Sequence, residues 1–520
     1  LYTKSKKVTI KAGETEAVAF SYDSKNQEDK SIIVRYSVSG KSDEGTFSDG
    51  EQKDLPILSQ KEFMVNTKTF ILTEAGTKQF DLKSIMPSVN EKHLKVEYTD
   101  NPEWLMIKSL PSILKANDQC AICLAAAYYA NSIASGIARS NPEIRNAVKD
   151  WKSNELTELF DSISLNYRNT DALERLSSLQ NSDGSWSWWY GMDGSSYMTV
   201  YVLKTLLRLN LMTNDEKIKK QNEQLIKRAC TFLDKEIGER YADMKEYKYL
   251  PSDVFDYLYC RALAKANGTK LSSNNKAEKL LKLVYEESRY DDMQTKAEAA
   301  IILYYGGKKS KAEEFIKSIK EHTVYRDDLG RYFDSKRAAY SWCDYKIPTQ
   351  VSAIEALKLI DSNNSAKEIV EMKRWLLQSK RTQSWDTPIN AIDAIYAFLC
   401  PSQGTTTSLR KGVPADIALG KTRLEAQEYT SALGYVKTSK DITSKDKVLS
   451  FTKHTNGESW ANVFIEYKQA ATESSESSTG LSITRKGETN GKELKVGDKV
   501  EVTITITADR DYDFVTVTDN

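Results

Sequence analysis

The chain has few of the residues from which metal centres are built. It contains three histidines in 520 residues, and His93, His322 and His454 each stand alone in the sequence. No HxxxH and no second CxxC occurs, so a zinc site would have to collect its ligands from distant parts of the chain. We therefore expect no metal and no cofactor.

Cysteine is also scarce, and its six residues are too scattered for the disulfide framework of a small secreted domain. Most of them lie in apolar surroundings, which predicts buried thiols that pack as small hydrophobic groups. These are Cys230, Cys260, Cys343 and Cys400. Cys120 and Cys123 differ, because they lie three residues apart in NDQCAIC, directly before a long apolar run.

Neither sign of charge is in excess, since 74 basic residues accompany 73 acidic ones. The charges are interspersed without a basic block, so nucleic acid is not an expected partner. No stretch approaches the roughly 18 consecutive apolar residues of a membrane-spanning helix, and no charged segment followed by an apolar core opens the chain. Because it starts at Leu1 and stops within a strand pattern, we interpret it as a piece of a larger protein, without a transmembrane segment of its own.

Residues 1 to about 112 have the alternating or β-branched pattern of strands. The predicted strands are KKVTIKAG, EAVAFSYD, SIIVRYSVSG, KTFILT and KQFDLK. The segment FSDGEQKDLPIL is interpreted as a turn that leads into the last strand of a sandwich domain. Strand patterns return after residue 408 in DIALG, KVLSFTKH, WANVFIEYKQ and VEVTITIT, interrupted by a Ser-, Thr- and Gly-rich linker at 470–480.

Between these β regions, from about 113 to about 400, the apolar period changes to 3.6, which predicts about a dozen helices. They include 118–138, 142–163, 194–211, 214–237, 251–266, 292–305, 347–361 and 386–399. A dozen helices without a heptad seam favour a ring of paired helices over a bundle. The predicted fold class is therefore multidomain α+β, a central α/α toroid of about six helix pairs flanked by antiparallel β-sandwich domains, with a small hairpin in TVYRDDLGRYFDS.

The two neighbouring cysteines follow Asn117 and Asp118, which are good N-cap residues. We expect Cys120 and Cys123 in or just beyond the first helical turn, where the helix dipole favours a thiolate. Such a pair is a redox couple, half of a zinc site or the altered remains of another reaction. A thioredoxin-like couple is disfavoured, because the surroundings are helical and lack a βαβ unit.

The densest aromatic segment is SWSWWY, at 185–190. Gln180, Gly184 and Trp186 have the spacing Q-x3-G-x-W, which resembles the QW repeats of the terpene cyclases, where the Gln caps a helix end and the Trp packs over it. The leading interpretation is a turn tied down by Trp stacking. The alternative is a sugar-binding or contact surface that includes Trp188, Trp189, Tyr190, Trp342 and Trp385.

An enzyme on a helical ring would need catalytic carboxylates. No D-x-D-D occurs, and the pair Asp291 and Asp292 lacks the third carboxylate of D-D-x-x-D, so a terpene cyclase is disfavoured. A glycoside hydrolase needs two carboxylates that face each other across a cleft. Asp344 and Asp386 are the candidates for that role, and solvated surface charge is the simpler interpretation of both.

Four segments, taken in order, carry a resemblance to one family. They are LKVEYTDNPEWLMIKSLPSIL, LQNSDGSWSWWYGMDGSSYMTVYVL, KRTQSWDTPINAIDAIYAFL and LKVGDKVEVTITITADRDYDFVTVTDN. They resemble, respectively, four parts of the C-terminal half of the bacterial alpha-2-macroglobulins: the passage from the CUB-like domain into the thioester domain, the aromatic turn of that domain, its last helix, and the opening of the next macroglobulin domain. The resemblance covers essentially the whole chain.

In that family the thioester domain begins with Cys-Xaa-Glu-Gln, whose Cys sulfur is acylated by the Gln side chain. Aligned on YYAN at 128–131, the Cys falls on Cys120, the Glu on Ile122 and the Gln on Cys123. Gln119 precedes the cysteine and is out of register. The resemblance therefore implies a protein that has kept the domain and lost the thioester, with Cys120 and Cys123 as two thiols or, after export, as a disulfide.

The resemblance further implies a non-enzymatic endopeptidase inhibitor that acts by non-covalent protease entrapment, or an envelope scaffold. Its location would be the periplasm or cell envelope, with any lipid anchor encoded elsewhere, and its partners proteases or another envelope protein, with the chain itself a monomer. The expected domains are macroglobulin-like 1–62, CUB-like 63–112 and 403–470, thioester-type 113–402, and macroglobulin-like 471–520. The alternative is a polysaccharide-degrading α/α-toroid enzyme with a Trp-lined cleft.

Overall fold

The computed structural model describes both β regions and most of the helical block. The described residues are 3–21, 30–42, 45–57, 61–107, 109–113, 119–140, 160–247, 250–286, 292–326, 329–334, 346–382, 387–401, 412–430, 434–470, 481–488, 499–509 and 517. The chain divides into two compact units. The first comprises Leu1–Val65 with Glu466–Thr507, and the second comprises Asn66–Ile465 with Ala508–Asn520.

The first unit is built on a long antiparallel hairpin. Its strands are β1 (Lys30–Ser42) and β2 (Gly45–Ile57), which pair along their whole length. SIIVRYSVSG lies within β1, as its alternation of β-branched and aromatic residues predicts. Two further strands, β16 (Leu481–Glu488) and β17 (Glu501–Ala508), pair with each other.

Two expectations for this region are wrong. FSDGEQKDLPIL, expected as a turn, lies mostly within β2, because β1 offers a hydrogen-bonding partner along its length and overrides the local turn preference. KKVTIKAG and EAVAFSYD, expected as strands, show no strand pairing in the described residues 3–21. Val8, Ile10, Val18 and Phe20 are exposed there, so their alternation has no sheet face to bury against within the described part of the chain.

Two sheets, which lie mainly in the second unit, combine strands from before and after the helical block. The strands are β3 (Lys61–Leu72), β4 (Gly76–Asp81), β5 (Lys92–Thr99), β10 (Asp416–Leu419), β11 (Thr422–Arg423), β12 (Glu428–Thr430), β13 (Tyr435–Ile442), β14 (Val448–Lys453) and β15 (Ser459–Ala470). One sheet has the order β12-β13-β5-β15-β3 and the other β11-β10-β14-β4. Buried residues of both sheets, among them Val96 and Phe451, contribute to one hydrophobic core.

A buried ion pair connects the strands that precede the helical block with those that follow it. Lys453, at the end of β14, donates to Asp100, just after β5, at 2.9 Å, and neither side chain is exposed to solvent. The Asp100 carboxylate also accepts from the Thr455 hydroxyl at 3.1 Å and the Val413 N–H at 3.0 Å. The charge is thus buried with enough partners to offset part of its desolvation cost.

The helical block contains these helices: α1 (Glu103–Ile107), α2 (Ala121–Ser140), α3 (Ser162–Ser178), α4 (Ser196–Met212), α5 (Glu216–Tyr247), α6 (Ser252–Ala266), α7 (Asn275–Glu286), α8 (Met293–Tyr305), α9 (Lys309–Glu321), α10 (Lys346–Ile360), α11 (Ala366–Thr382) and α12 (Pro388–Leu399). Side-chain caps fix several starts, since Asp161, Ser195, Asp292 and Thr387 each accept an N–H from the residue three positions on. Short hairpins lie in two loops: β6 (Trp186–Ser187) with β7 (Gly194–Ser195), and β8 (Val324–Arg326) with β9 (Gly330–Tyr332).

Six of these helices are arranged as a closed ring of neighbours. Helix α2 packs against α4, α4 against α6, α6 against α8, α8 against α10, α10 against α12, and α12 returns to α2. Ring helices such as α10 bury residues on every face, as expected for a helix surrounded by others. Among the remaining helices, α3 packs on α2, α5 on α4, α9 on α8 and α11 on α10.

The helix boundaries agree closely with the sequence expectations where both are described. Helices α4, α6, α8 and α12 begin within two residues of their predicted starts, and the β8–β9 hairpin lies in TVYRDDLGRYFDS as predicted. Helix α5 continues to Tyr247, beyond the predicted end at 237. The predicted helix 142–163 falls mostly outside the described residues.

Helix α2 has the length and composition of a membrane-spanning helix, with a mean hydropathy of 1.4 over Ala121–Arg139. The segment contains no uninterrupted apolar run of that length, because Asn131 and Ser132 divide it. In the structure 72% of this stretch is buried, and the Asn131 amide donates to the Ala127 carbonyl at 2.7 Å. Its apolar character is accounted for by its place in the ring.

The buried Asp100–Lys453 pair yields a stability prediction. Asp100→Asn leaves the Lys453 ammonium buried without a counter-charge, so we expect unfolding in urea to become easier by about 3–5 kcal/mol. The matched control is Asp441→Asn, which removes an ion pair to His93 across β5 and β13 whose carboxylate is 94% exposed; it should cost no more than about 1 kcal/mol. Equal effects of the two substitutions would contradict this assignment.

Candidate functional site

The two neighbouring cysteines lie at the N-terminal end of helix α2. The Cys120 carbonyl accepts the first helical hydrogen bond, from the Leu124 N–H at 3.0 Å, and the Cys120 sulfur accepts the Cys123 N–H at 3.4 Å. These two bonds define an N-cap residue. Cys120 therefore caps the helix itself, which corrects the expected caps Asn117 and Asp118, because α2 begins only at Ala121; both residues lie outside the described part of the chain.

The surroundings of this first turn are only partly closed. Cys120 is 8% exposed, whereas Ile122 and Cys123 are half-buried. Both cysteines are in the thiol form. The N–H of Ala121 donates to the Trp188 carbonyl at 3.0 Å, so the aromatic loop between α3 and α4 is attached directly to the start of α2.

The Q-x3-G-x-W segment forms the base of that loop. Gln180 donates its amide to the carbonyls of Gly184 at 3.1 Å and Leu225 at 3.0 Å, and the Trp186 indole N–H donates to the Leu176 carbonyl at 2.9 Å. Trp186 is fully buried. Gly184 has φ of 96°, and a Cβ there would lie 2.2 Å from the Arg228 carbonyl oxygen, so the turn requires glycine.

The aromatic residues that follow turn outward. Trp188 stacks on Tyr197 with ring centroids 5.9 Å apart and on Trp189 at 6.0 Å. Trp189 is 43% exposed, Tyr197 49% and Tyr190 84%. We call Trp188, Trp189, Tyr190 and Tyr197 the aromatic strip. It lies beside the first turn of α2, since the Trp188 carbonyl accepts the Ala121 N–H.

The interior of the helix ring contains a buried ionic network that the sequence patterns did not reveal. Arg208 of α4 donates to Asp393 of α12 at 2.5 Å, to Glu355 of α10 at 3.2 Å and to the Tyr259 hydroxyl of α6 at 3.0 Å. The hydroxyls of Tyr259 and Tyr396 both donate to Glu355 at 2.8 Å. Arg208 is 1% exposed, so these partners replace nearly all of its hydration.

A sequence signal for this network did exist. Arg208, Glu355 and Asp393 are charges within largely apolar helical stretches, TLLRLNL, SAIEALKLI and NAIDAIYAF. A charge on the face of a helix that is apolar all round has to find a partner inside the protein. The pairing itself joins residues 147 and 185 positions apart, which no local pattern encodes.

A second pair of charges joins two ring helices, α4 and α8, that are separated by α6. The Lys204 ammonium of α4 is 3.7 Å from the Glu298 carboxyl of α8, and both side chains are buried. Burial raises the pKa of Glu298 to about 7, the Lys204 charge opposes this shift, and the nearby Asp256 carboxylate adds to it. Near neutral pH, Glu298 is therefore partly protonated in the folded protein.

The space beside Lys204 and Asp393, among the described residues of the ring, leaves little room for a ligand. The space lined by Ile122, Tyr201, Lys204, Ile392 and Asp393, among others, has a volume of about 10 Å³, which is room for about one water molecule. Asp393, which lines this space, is bound by Arg208, and Lys204 is paired with Glu298. No cluster of three or more His, Cys, Asp or Glu side chains suited to a metal occurs among the described residues.

Several predicted positions lie elsewhere. His93, His322 and His454 have separate partners, namely Asp441, the Ser318 carbonyl and Asp416. Asp292 caps helix α8 through the Thr295 N–H. The following positions fall outside the described residues: Asp291, Trp342, Cys343, Asp344, Trp385 and Asp386. Cys230, Cys260 and Cys400 are buried thiols.

Comparison with known proteins gives structural likenesses alone. No family model matches the chain, and no curated protein matches its sequence. Native Escherichia coli alpha-2-macroglobulin, from domain MG7 to the C-terminus, superposes with a TM-score of 0.43 at 12% identity, covering 92% of this chain and 70% of that one. Salmonella alpha-2-macroglobulin reacted with methylamine gives 0.43 at 12% identity, covering 92% and 29%. A point mutant of Salmonella alpha-2-macroglobulin gives a TM-score of 0.44 at 11% identity, covering 92% of this chain and 29% of that one.

The buried tryptophan of the turn yields a second prediction. Trp186→Ala opens a cavity and leaves the Leu176 carbonyl without its donor, so we expect a loss of about 3–5 kcal/mol in urea unfolding. Trp186→Phe should recover part of that loss, because it restores ring volume without the N–H. Trp189→Ala is the control from the exposed aromatic strip and should cost less than about 1 kcal/mol.

The protonation of Glu298 yields a third prediction. A raised pKa means that the folded state binds a proton more tightly than the unfolded chain does, so stability falls as pH rises from about 5 to about 8. Glu298→Gln cannot ionise, and we expect it to reduce that fall by roughly 1–3 kcal/mol. The free energy of unfolding in urea is measured at both pH values for the unsubstituted protein and for Glu298→Gln. Glu321→Gln, at the exposed end of α9, is the control. An unchanged slope in Glu298→Gln would refute the shift.

Proposed function

We propose that this chain is part of a bacterial alpha-2-macroglobulin-like protein that has lost the internal thioester. In this proposal the whole protein is exported to the periplasm or cell envelope and is not an enzyme. It retains an attacking protease without forming a covalent bond to it, or it acts as a binding scaffold in the envelope. The chain supplies the folded body of that protein, and the bait region that a protease would cut lies outside it.

The first turn of α2 carries this proposal. An internal thioester needs a carboxamide carbon next to the cysteine sulfur. Three residues after Cys120 the helix presents the Cys123 thiol, and the position between them that would be acidic is Ile122. Gln119 comes before the N-cap, on the exposed side. The neighbour of the Cys120 sulfur is therefore a thiol and not a carboxamide, so no acyl group is available there to form a thioester.

The domain arrangement is proposed on the same resemblance. The ring of helices corresponds to the thioester-type α/α toroid at 113–402, inserted between two parts of a CUB-like sandwich at 63–112 and 403–470. The pairing of β5 with β13 and of β4 with β14 supports an insertion, because strands from both sides of the helices share the same sheets. The segments 1–62 and 471–520 are then parts of macroglobulin-like β domains.

A polysaccharide-degrading enzyme receives less support. Such an enzyme needs two carboxylates and a water in an open cleft. Glu355 and Asp393 inside the ring are bound to Arg208, Glu298 is paired with Lys204, and the space beside Asp393 has a volume of about 10 Å³. Trp186, which belongs to the aromatic segment SWSWWY, is fully buried and offers no ring face to a sugar.

The aromatic strip supports the scaffold form of the proposal. Tyr190, Trp189 and Tyr197 are large side chains of which 43–84% is exposed, and they adjoin one another in the loop that covers the start of α2. Aromatic side chains of this kind are enriched where proteins bind proteins. The partner in this form would be another envelope protein.

The proposal predicts how the full-length protein treats a protease. After incubation with a serine protease, cleavage of a large protein substrate should fall while cleavage of a small chromogenic peptide persists, because a trapped enzyme remains active. No protease adduct should survive denaturing gel electrophoresis. The fragment 1–520 alone should not inhibit.

Methylamine provides the covalent arm of the same test. We expect no methylamine in the intact mass and no thiol released by it. Salmonella alpha-2-macroglobulin, whose structure was determined after reaction with methylamine, is the positive control. Uptake of one methylamine with release of one thiol would overturn the assignment of Cys123. Equal loss of cleavage of the small and large substrates, or none, would count against entrapment.

A further inference from the structure

The Cys120–Cys123 pair has a geometry of its own that does not depend on the proposed function. We propose that it is a reversible dithiol–disulfide site, which closes to an intramolecular disulfide by exchange with an external small organic disulfide.

Helical spacing brings the two residues within bonding range. Residues three apart on an α-helix have Cα atoms about 5 Å from each other, and disulfides join Cα atoms about 4.4–6.8 Å apart. In the structure the Cys120 side chain is already folded back over the first turn, because its sulfur lies 3.4 Å from the Cys123 backbone nitrogen. The Cys123 sulfur is three bonds from that nitrogen, so the two sulfur atoms belong to the same turn.

The position at the N-terminus of a 20-residue helix favours the chemistry. The N-terminal end of a helix carries partial positive charge, which stabilises a thiolate, and the thiolate is the nucleophile in disulfide exchange. Cys120 occupies the cap, where its sulfur already accepts an N–H.

The different exposures of the two residues assign them different steps. Cys123 is half-buried and reachable, whereas Cys120 is 8% exposed. The Cys123 thiolate attacks one sulfur of the external disulfide, the S–S bond breaks, and one thiolate leaves. The Cys120 thiolate then attacks the Cys123 sulfur of the mixed disulfide and releases the second thiolate. In sum, two protein thiols lose two protons and two electrons, and the external disulfide is reduced to two thiols.

The other described cysteines lack this combination. Cys230, Cys260 and Cys400 are 1–2% exposed and lie inside the helical block. Burial raises the pKa of the Cys230 thiol to about 12 and that of the Cys260 thiol well above its ordinary value. Thiols of this kind stay protonated and react slowly, so they serve as internal references.

The test uses the chain in a Cys343→Ser background, because Cys343 lies outside the described residues. The protein is equilibrated with mixtures of reduced and oxidised glutathione, quenched with acid, denatured, alkylated and weighed as an intact molecule. We expect two of the five thiols to escape alkylation together, with a decrease of two hydrogen atoms in the mass of the protein. Dithiothreitol should restore both thiols. Peptide mapping should place the crosslink between residues 120 and 123.

Single substitutions separate the two steps. Cys120→Ser keeps a good N-cap oxygen, so the fold is preserved, and oxidised glutathione should then accumulate as one mixed disulfide on Cys123. Cys123→Ser should abolish the two-hydrogen loss and leave Cys120 slow to react. Cys230→Ser is the matched control and should behave as the background protein does.

The proposal is overturned if all five thiols remain alkylatable after equilibration with oxidised glutathione, or if the two-hydrogen loss persists in Cys120→Ser. Neither result bears on protease entrapment, which is measured with the protein fully reduced. Failure of the proposed function likewise leaves this test intact, because it reads sulfur chemistry alone. The two proposals therefore fail separately.

Discussion

The helical block depends on one buried guanidinium. Arg208 lies at the centre of bonds to Asp393, Glu355 and Tyr259, which come from three other helices of the ring. A charge this deeply buried costs several kcal/mol unless its partners are in place, and losing one partner costs about as much again. The rotation of four ring helices about their axes is therefore coupled, because each must present its polar residue to the same point.

The Arg208 network also affects the position of helix α2, which carries the two neighbouring cysteines. Helix α2 contributes none of the Arg208 hydrogen bonds described above, yet it is packed between α4 and α12, which do. The start of α2 is held further by the Trp188 carbonyl, from a loop whose base is fixed by Gln180 and Trp186. The cysteine turn is therefore a surface feature supported by rigid parts on both sides, which is the condition for well-defined chemistry at a helix end.

Local patterns in the sequence predict most of the elements, and they fail where a distant partner decides. The starts of α4 and α12 follow from the caps Ser195 and Thr387 and the apolar period behind them. The FSDGEQK part of β2 looks like a turn until β1 is known to run beside it. Residues 3–21 alternate like a strand, yet no strand pairs with them among the described residues. The Arg208 network was missed for the same reason, since its members are spread over 185 positions.

The insertion of the helices between paired strands also has a consequence for the order of assembly. Asp100 and Lys453 meet although they are 353 positions apart. Strands β4 and β5 are therefore made long before β13 and β14, and until then their edges lack these partners. Unpaired edges invite association with other chains, and contacts this distant in sequence form slowly. A nascent chain therefore makes the whole ring of helices before the second half of its sheets is synthesised. Folding of the helical block then brings the two halves of the sheets together.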